Sequence, residues 1–116
     1  MVRRADEKTV DRAEHKFGAD GYITVNNLIN SPEELNGKGR VFAHTVVAPH
    51  SGIGYHVHNG DTEIYYVLSG KAEYNDNGNV TTIQAGDVTF TPSGSGHGVN
   101  NTGDEPFVII ALIIYG

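Results

Sequence analysis

A chain of 116 residues with 15 glycines, no cysteine and a formal net charge of −6 is long enough for one domain with a real core and too short for two. Without cysteine, disulfides, thiolate metal ligands and cysteine nucleophiles are all excluded. Residues 1 to 20 balance five acids against five bases, whereas residues 21 to 116 set nine acids against Lys38, Arg40 and Lys71. There is no basic stripe for phosphates, which argues against nucleic acid as a partner.

In chain order, residues 1 to 17 are highly charged, with sparse apolar side chains at Val2, Ala5, Val10, Ala13 and Phe17. An arm or a short helix is expected there. No apolar run follows Arg3 and Arg4, so a secretory signal is not expected and the cytoplasm is the expected location. Residues 22 to 29 permit a strand. In the following turn, Ser31 suits a cap and Pro32 a first helical position. Strands are then expected over 40–48, 54–58, 63–68, 71–75, 80–83, 87–91, 97–101 and 106–115, a cadence that marks an all-β sandwich or barrel. Asp76-Asn77-Gly78 is a hairpin turn signal. The closing run from Phe107 to Tyr115 is too short to span a membrane and reads as a strand buried on both faces.

Four residues stand out chemically. His56 and His58 are two apart, so on a strand they share a face and can grip one ion. Asn59-Gly60-Asp61-Thr62 has turn composition and brings Glu63 back alongside them. His97 lies 39 residues beyond His58 in a glycine-rich run. His56, His58, Glu63 and His97 together read as a metal site. Imidazole with carboxylate suits a divalent Mn, Fe, Co, Ni or Zn ion, with Mn or Fe favoured, and four ligands on an octahedral ion leave two positions open.

The spacing of these residues resembles that of the cupin family. His56, His58, Glu63 and Gly70 fit the first cupin motif after its leading glycine, which is replaced by His50. Gly86, Pro92, Gly94, His97 and Asn101 fit the second. The resemblance extends over about residues 36 to 116, and is nearest to small single-domain cupins described as oxalate-binding or oxalate-decarboxylase-like. It implies a small double-stranded β-helix, or jelly-roll, barrel over 36–116, preceded by an N-terminal arm and leading strand over 1–35. It also implies a homodimer, which the apolar closing strand and the outward row Ile64, Tyr66 and Leu68 support.

Other residues carry two readings each. Tyr65 shares the inward face with Glu63 and Val67, either hydrogen-bonding a ligand or filling the core. His44 is expected on one face with Phe42, Val46 and Ala48, as a substrate-contacting group or a satisfied histidine. His50 is read as structural or as a gate to the pocket, and His15 as solvated.

The open positions suit chelation of a small carboxylate such as oxalate. Decarboxylation further requires a positioned acid. The oxalate decarboxylases that this chain resembles carry a lid glutamate for which Ser93-Gly94-Ser95-Gly96 offers no counterpart, and Asp61 is only a conjectural substitute. The alternatives are isomerisation or ring opening of a sugar or uronate, with Tyr65, His44 or His50 as the catalytic group that moves a proton, a dioxygenase, and a metal-dependent binding module without turnover.

Overall fold

The structure, a computed structural model, describes all 116 residues. Ten strands follow one another: β1 (Val10–Glu14), β2 (Tyr22–Asn27), β3 (Gly39–Val47), β4 (Gly52–Val57), β5 (Asp61–Ser69), β6 (Lys71–Asp76), β7 (Asn79–Gln84), β8 (Val88–Thr91), β9 (Gly96–Asn100) and β10 (Phe107–Tyr115). Six form one sheet in the order β1-β2-β3-β10-β5-β8, and four form a second in the order β4-β9-β6-β7. Every pairing is antiparallel. This is the all-β jelly roll expected from the sequence. No helix is long and apolar enough to cross a membrane.

Turn chemistry punctuates the strands. Asn77 and Gly78 both have positive φ, 50° and 99°, as a two-residue hairpin loop of type I′ requires, and the Asn75 side chain accepts from the Gly78 amide at 2.7 Å. His50, at the place of the motif glycine, adopts φ 56°. That left-handed backbone is the reason glycine suits the position, and the His50 ring meets Asp104 at 2.7 Å on the surface. Pro32 opens a 3-10 turn over Pro32–Leu35, with Ser31 in the N-cap position but making no side-chain cap bond.

The N-terminal segment differs from the expected arm or short helix. Val10–Glu14 is a strand paired residue for residue with β2, flanked by 3-10 turns at Ala5–Glu7 and Lys16–Gly18. Its alternation is masked in the sequence because β1 lies at the sheet edge, where only Ala13 is shielded from solvent. Edge strands need little apolar patterning, since their pairing comes from the backbone.

The core lies between the sheets. Ile23, Val47, Tyr65, Val67, Phe107, Ile109 and Ala111 from the larger sheet pack on Ile53, Ala72, Tyr74, Ile83 and Val99 from the smaller. Fully burying a side chain of this size contributes about 1.5–3 kcal/mol. The inward face of β3 is Ala43, Thr45 and Val47, the opposite parity from that expected. Apolar residues occupy both faces of β3, so alternation could not choose, and pairing of Ala43 with Ala111, Thr45 with Ile109 and Val47 with Phe107 decides it.

Two transverse rows therefore cover the outside: Phe42, Leu112, Ile64 and Phe90, then His44, Ile110, Tyr66 and Val88. The closing strand is buried on one face within the chain. Phe107, Ile109, Ala111 and Ile113 are inside, while Val108, Ile110 and Leu112 are only half-buried.

Candidate metal centre

The pairing of β4 with β9 sets His56 opposite His97. Beyond the end of β4 the ladder continues through the turn, with the His58 amide donating to Ser95 at 3.0 Å and the Gly94 amide to the His58 carbonyl at 2.7 Å. Gly94, at φ 92°, makes that return possible. Glu63 enters from β5 in the other sheet, so the site joins the two layers. Ligand atoms of His56, His58, Glu63 and His97 lie within 4.8 Å of one another. Glu63, His58 and His97 are buried and His56 is half-buried.

Each histidine is oriented through Nδ1. His56 Nδ1 donates to the Gly54 carbonyl at 2.7 Å. His58 Nδ1 donates to Asp61 Oδ1 at 2.7 Å. His97 Nδ1 lies 2.9 Å from both the Tyr74 hydroxyl and Thr91 Oγ1. A carbonyl or carboxylate can only accept, so the proton sits on Nδ1 of His56 and His58 and leaves Nε2 as a lone-pair donor.

His58 Nε2 then faces His97 Nε2 at 3.1 Å, with Glu63 Oε1 at 3.2 Å from the first and 3.0 Å from the second. With Nε2 of His97 also unprotonated, three lone-pair donors would converge on one point, which a cation would hold together. Metal–ligand bonds of about 2.1–2.2 Å place adjacent donors at right angles roughly 3.0 Å apart, so the donor set fits a divalent transition metal.

Burial holds the His56 imidazole below its ordinary pKa, outweighing the bond from Nδ1 to the Gly54 carbonyl, and so favours the neutral ligating form. Burial also raises Asp61, but the hydrogen bonds from His58 and Arg40 more than reverse this and keep its carboxyl below the usual range. Arg40 Nε meets Asp61 Oδ2 at 3.1 Å. Arg40, Asp61 and His58 thus form a relay into the site.

Tyr65 stacks on His97, with ring centroids 4.9 Å apart, and lines a cavity of about 410 Å³ together with His56, His58 and Glu63. Burial, with Glu63 nearby, pushes its hydroxyl well above the ordinary tyrosine value. It therefore stays protonated and can donate. His44 is not brought into the site: its side chain lies in the outer apolar row, opposite Ile110 and Asn26, because the parity of β3 is the reverse of that expected.

Besides Tyr74 and Thr91 on His97, sequence reasoning misses Asp61 and Phe17. Asp61 reads in the sequence as a turn residue and a conjectural acid, yet its place three residues after His58 lets its carboxylate fold back onto Nδ1. Phe17 was assigned to a mobile or helical segment, yet its ring stacks on His56 at 4.0 Å and 14°. A lone aromatic followed by glycine in a polar segment was the available signal.

The family model for the cupin domain matches residues 43–115. This chain belongs to the cupin family. An oxalate-binding protein of Thermotoga maritima is 40% identical to this cupin over 114 residues, covering 98% of the chain and 93% of that relative. The crystal structure of a predicted oxalate decarboxylase from Thermotoga maritima superposes with a TM-score of 0.93 at 40% identity, covering 100% of both chains. The oxalate decarboxylase of Bacillus subtilis shares 40% identity over 62 residues, which is 49% of this cupin and 16% of that enzyme.

Proposed function

We propose that this cupin is a metal-dependent binding protein for a small carboxylate, holding a divalent ion, Mn or Fe in preference to Zn, Ni or Co, through His56, His58, Glu63 and His97. The observation that carries the reading is the convergence of Nε2 of His58 and His97 with Glu63 Oε1, 3.0–3.2 Å apart, at one end of a cavity. The bound ion supplies positive charge and open positions for two carboxylate-type oxygens. Tyr65, whose hydroxyl is engaged by Glu63, steadies that carboxylate from the cavity wall. The name of the Thermotoga relative supports oxalate as a first probe.

Binding without turnover is favoured over decarboxylation. Of the two carboxylates that line the cavity, Glu63 is a metal ligand and Asp11 accepts from the Asn27 amide at 2.9 Å. Glu63 is thereby committed, and Asp11 is solvent-exposed on the edge strand rather than held in the buried, raised-pKa setting a general acid needs. Calorimetric titration of oxalate into metal-loaded and metal-stripped protein is the test. Binding is expected in the loaded form only; equal binding to both forms, or none to either, overturns the proposal.

The two outer rows support a homodimer. Phe42, Tyr66, Val88 and Phe90 are 36–64% exposed and continuous with half-buried Ile64, Ile110 and Leu112, a patch rather than scattered single residues. A second copy covering this face would complete the burial of β10. Sedimentation is expected to give a dimer that dissociates in the Tyr66→Lys/Phe90→Lys variant, whereas a monomeric parent protein at high micromolar concentration contradicts it.

A further inference from the structure

We infer that the cavity takes a 2-oxo monocarboxylate with a branched aliphatic or phenyl tail, its carboxylate and keto oxygens on the metal and its tail against the apolar wall. The inference rests on the metal-chelate reading above and names the ligand class. At about 410 Å³ the cavity lies in the range of about 300–1,000 Å³ usual for small-molecule sites. Oxalate, with six non-hydrogen atoms and no hydrocarbon, fills a small part of it.

The metal ligands occupy one part of the lining. Much of the remainder is Ile23, Val25, Val41, Ile109, Ala111 and Ile113, from the neighbouring strands β2, β3 and β10. Register makes this wall continuous: Val41 lies opposite Ile113, and Thr45 lies between Ile109 on one side and Val25 on the other. Two of the charged groups on the lining are already engaged, Asp11 with Asn27 and Arg40 with Asp61. Lys16 lies over the Phe17 ring, 5.1 Å from its centroid. The Thr45 hydroxyl remains for a ligand, while the Tyr65 hydroxyl is engaged by Glu63.

A sugar or uronate would press several hydroxyls against this wall, each left unpaired at roughly a tenfold or greater cost in affinity. A 2-oxo acid presents the same pair of chelating oxygens as oxalate, with a carbon substituent where oxalate carries further carboxylate oxygen. That substituent is the part an apolar wall rewards.

The test keeps the head group constant and lengthens the tail. Pyruvate, 2-oxobutyrate, 3-methyl-2-oxobutanoate and 4-methyl-2-oxopentanoate are titrated calorimetrically into Mn(II)-loaded protein, with oxalate as the tailless control. Affinity is expected to rise about fourfold per added carbon, corresponding to ~0.8 kcal/mol per buried CH₂, and so roughly sixtyfold across the series. In Ala111→Leu and Val41→Phe, which fill the cavity, the gain is expected to vanish while oxalate affinity stays within about twofold; retention of the gain in two folded, cavity-filled variants counts against the wall as its source. A flat or falling series in the parent protein, with oxalate still bound, overturns this inference and leaves the chelate reading standing. If neither oxalate nor pyruvate binds in a metal-dependent way, the chelate reading fails and the inference with it.

Discussion

Protein carrying His58→Ala is expected to lose tight divalent-metal binding while remaining a folded barrel. His58 Nε2 is a corner of the three-donor cluster, 3.1 Å from His97 Nε2 and 3.2 Å from Glu63. Its removal leaves a bonding position without a donor and takes from Asp61 the hydrogen bond that Nδ1 supplies. The affinity loss should exceed about 100-fold, beyond the 10–100-fold typical of changes in groups that only support ligands. Folding should survive because the continuous core does not include His58, and Asp61 keeps Arg40 as a partner at 3.1 Å. A cost of about 1–2 kcal/mol to the metal-free fold is expected. Metal titration followed by thermal melting measures both; undiminished metal affinity in a folded variant would remove His58 from the ligand set.

The second large effect belongs to a residue outside the ligand set. Asp61 holds Nδ1 of His58 at 2.7 Å and is itself held by Arg40, so its negative charge raises the basicity of the ligating nitrogen and fixes the ring. Asp61→Asn keeps an acceptor in place and removes the charge, which should weaken metal binding about tenfold. Asp61→Ala removes both and should weaken it by up to about 100-fold. If the alanine variant binds metal as tightly as the parent, the relay from Arg40 through Asp61 has no bearing on the site.

The contrast between these two residues shows what could be read from the sequence. The four residues of the candidate metal site were legible as a cluster because each is a strong donor type, and the i, i+2 spacing on a strand imposes a shared face whatever the surroundings. Asp61 was not, because aspartate in a turn is ordinary and only the folded turn reveals that its carboxylate reaches back to Nδ1. Thr91 and Tyr74, which hold His97, come from β8 and β6 in different sheets, a juxtaposition no local pattern carries.

Strand positions from β2 onward followed from turn residues and alternation, and nearly all agree within one or two residues. The parity of β3 did not follow. Val41-Phe42-Ala43-His44-Thr45-Val46-Val47 is apolar on both faces, and its inward side is set by pairing with β10. His44 was drawn toward the pocket by that ambiguity and stands instead in the outer row with Ile110 and Tyr66. The N-terminal strand was hidden for the opposite reason, since at the sheet edge it needs almost no apolar pattern, and with it went the placement of Phe17 over His56.

The central claim is that His56, His58, Glu63 and His97 bind one divalent transition metal. Metal content by inductively coupled plasma mass spectrometry, on protein purified without chelator and again after loading with Mn(II) or Fe(II), tests it most directly. About one ion per chain is the predicted result; protein that takes up no transition metal under any loading condition would contradict the account.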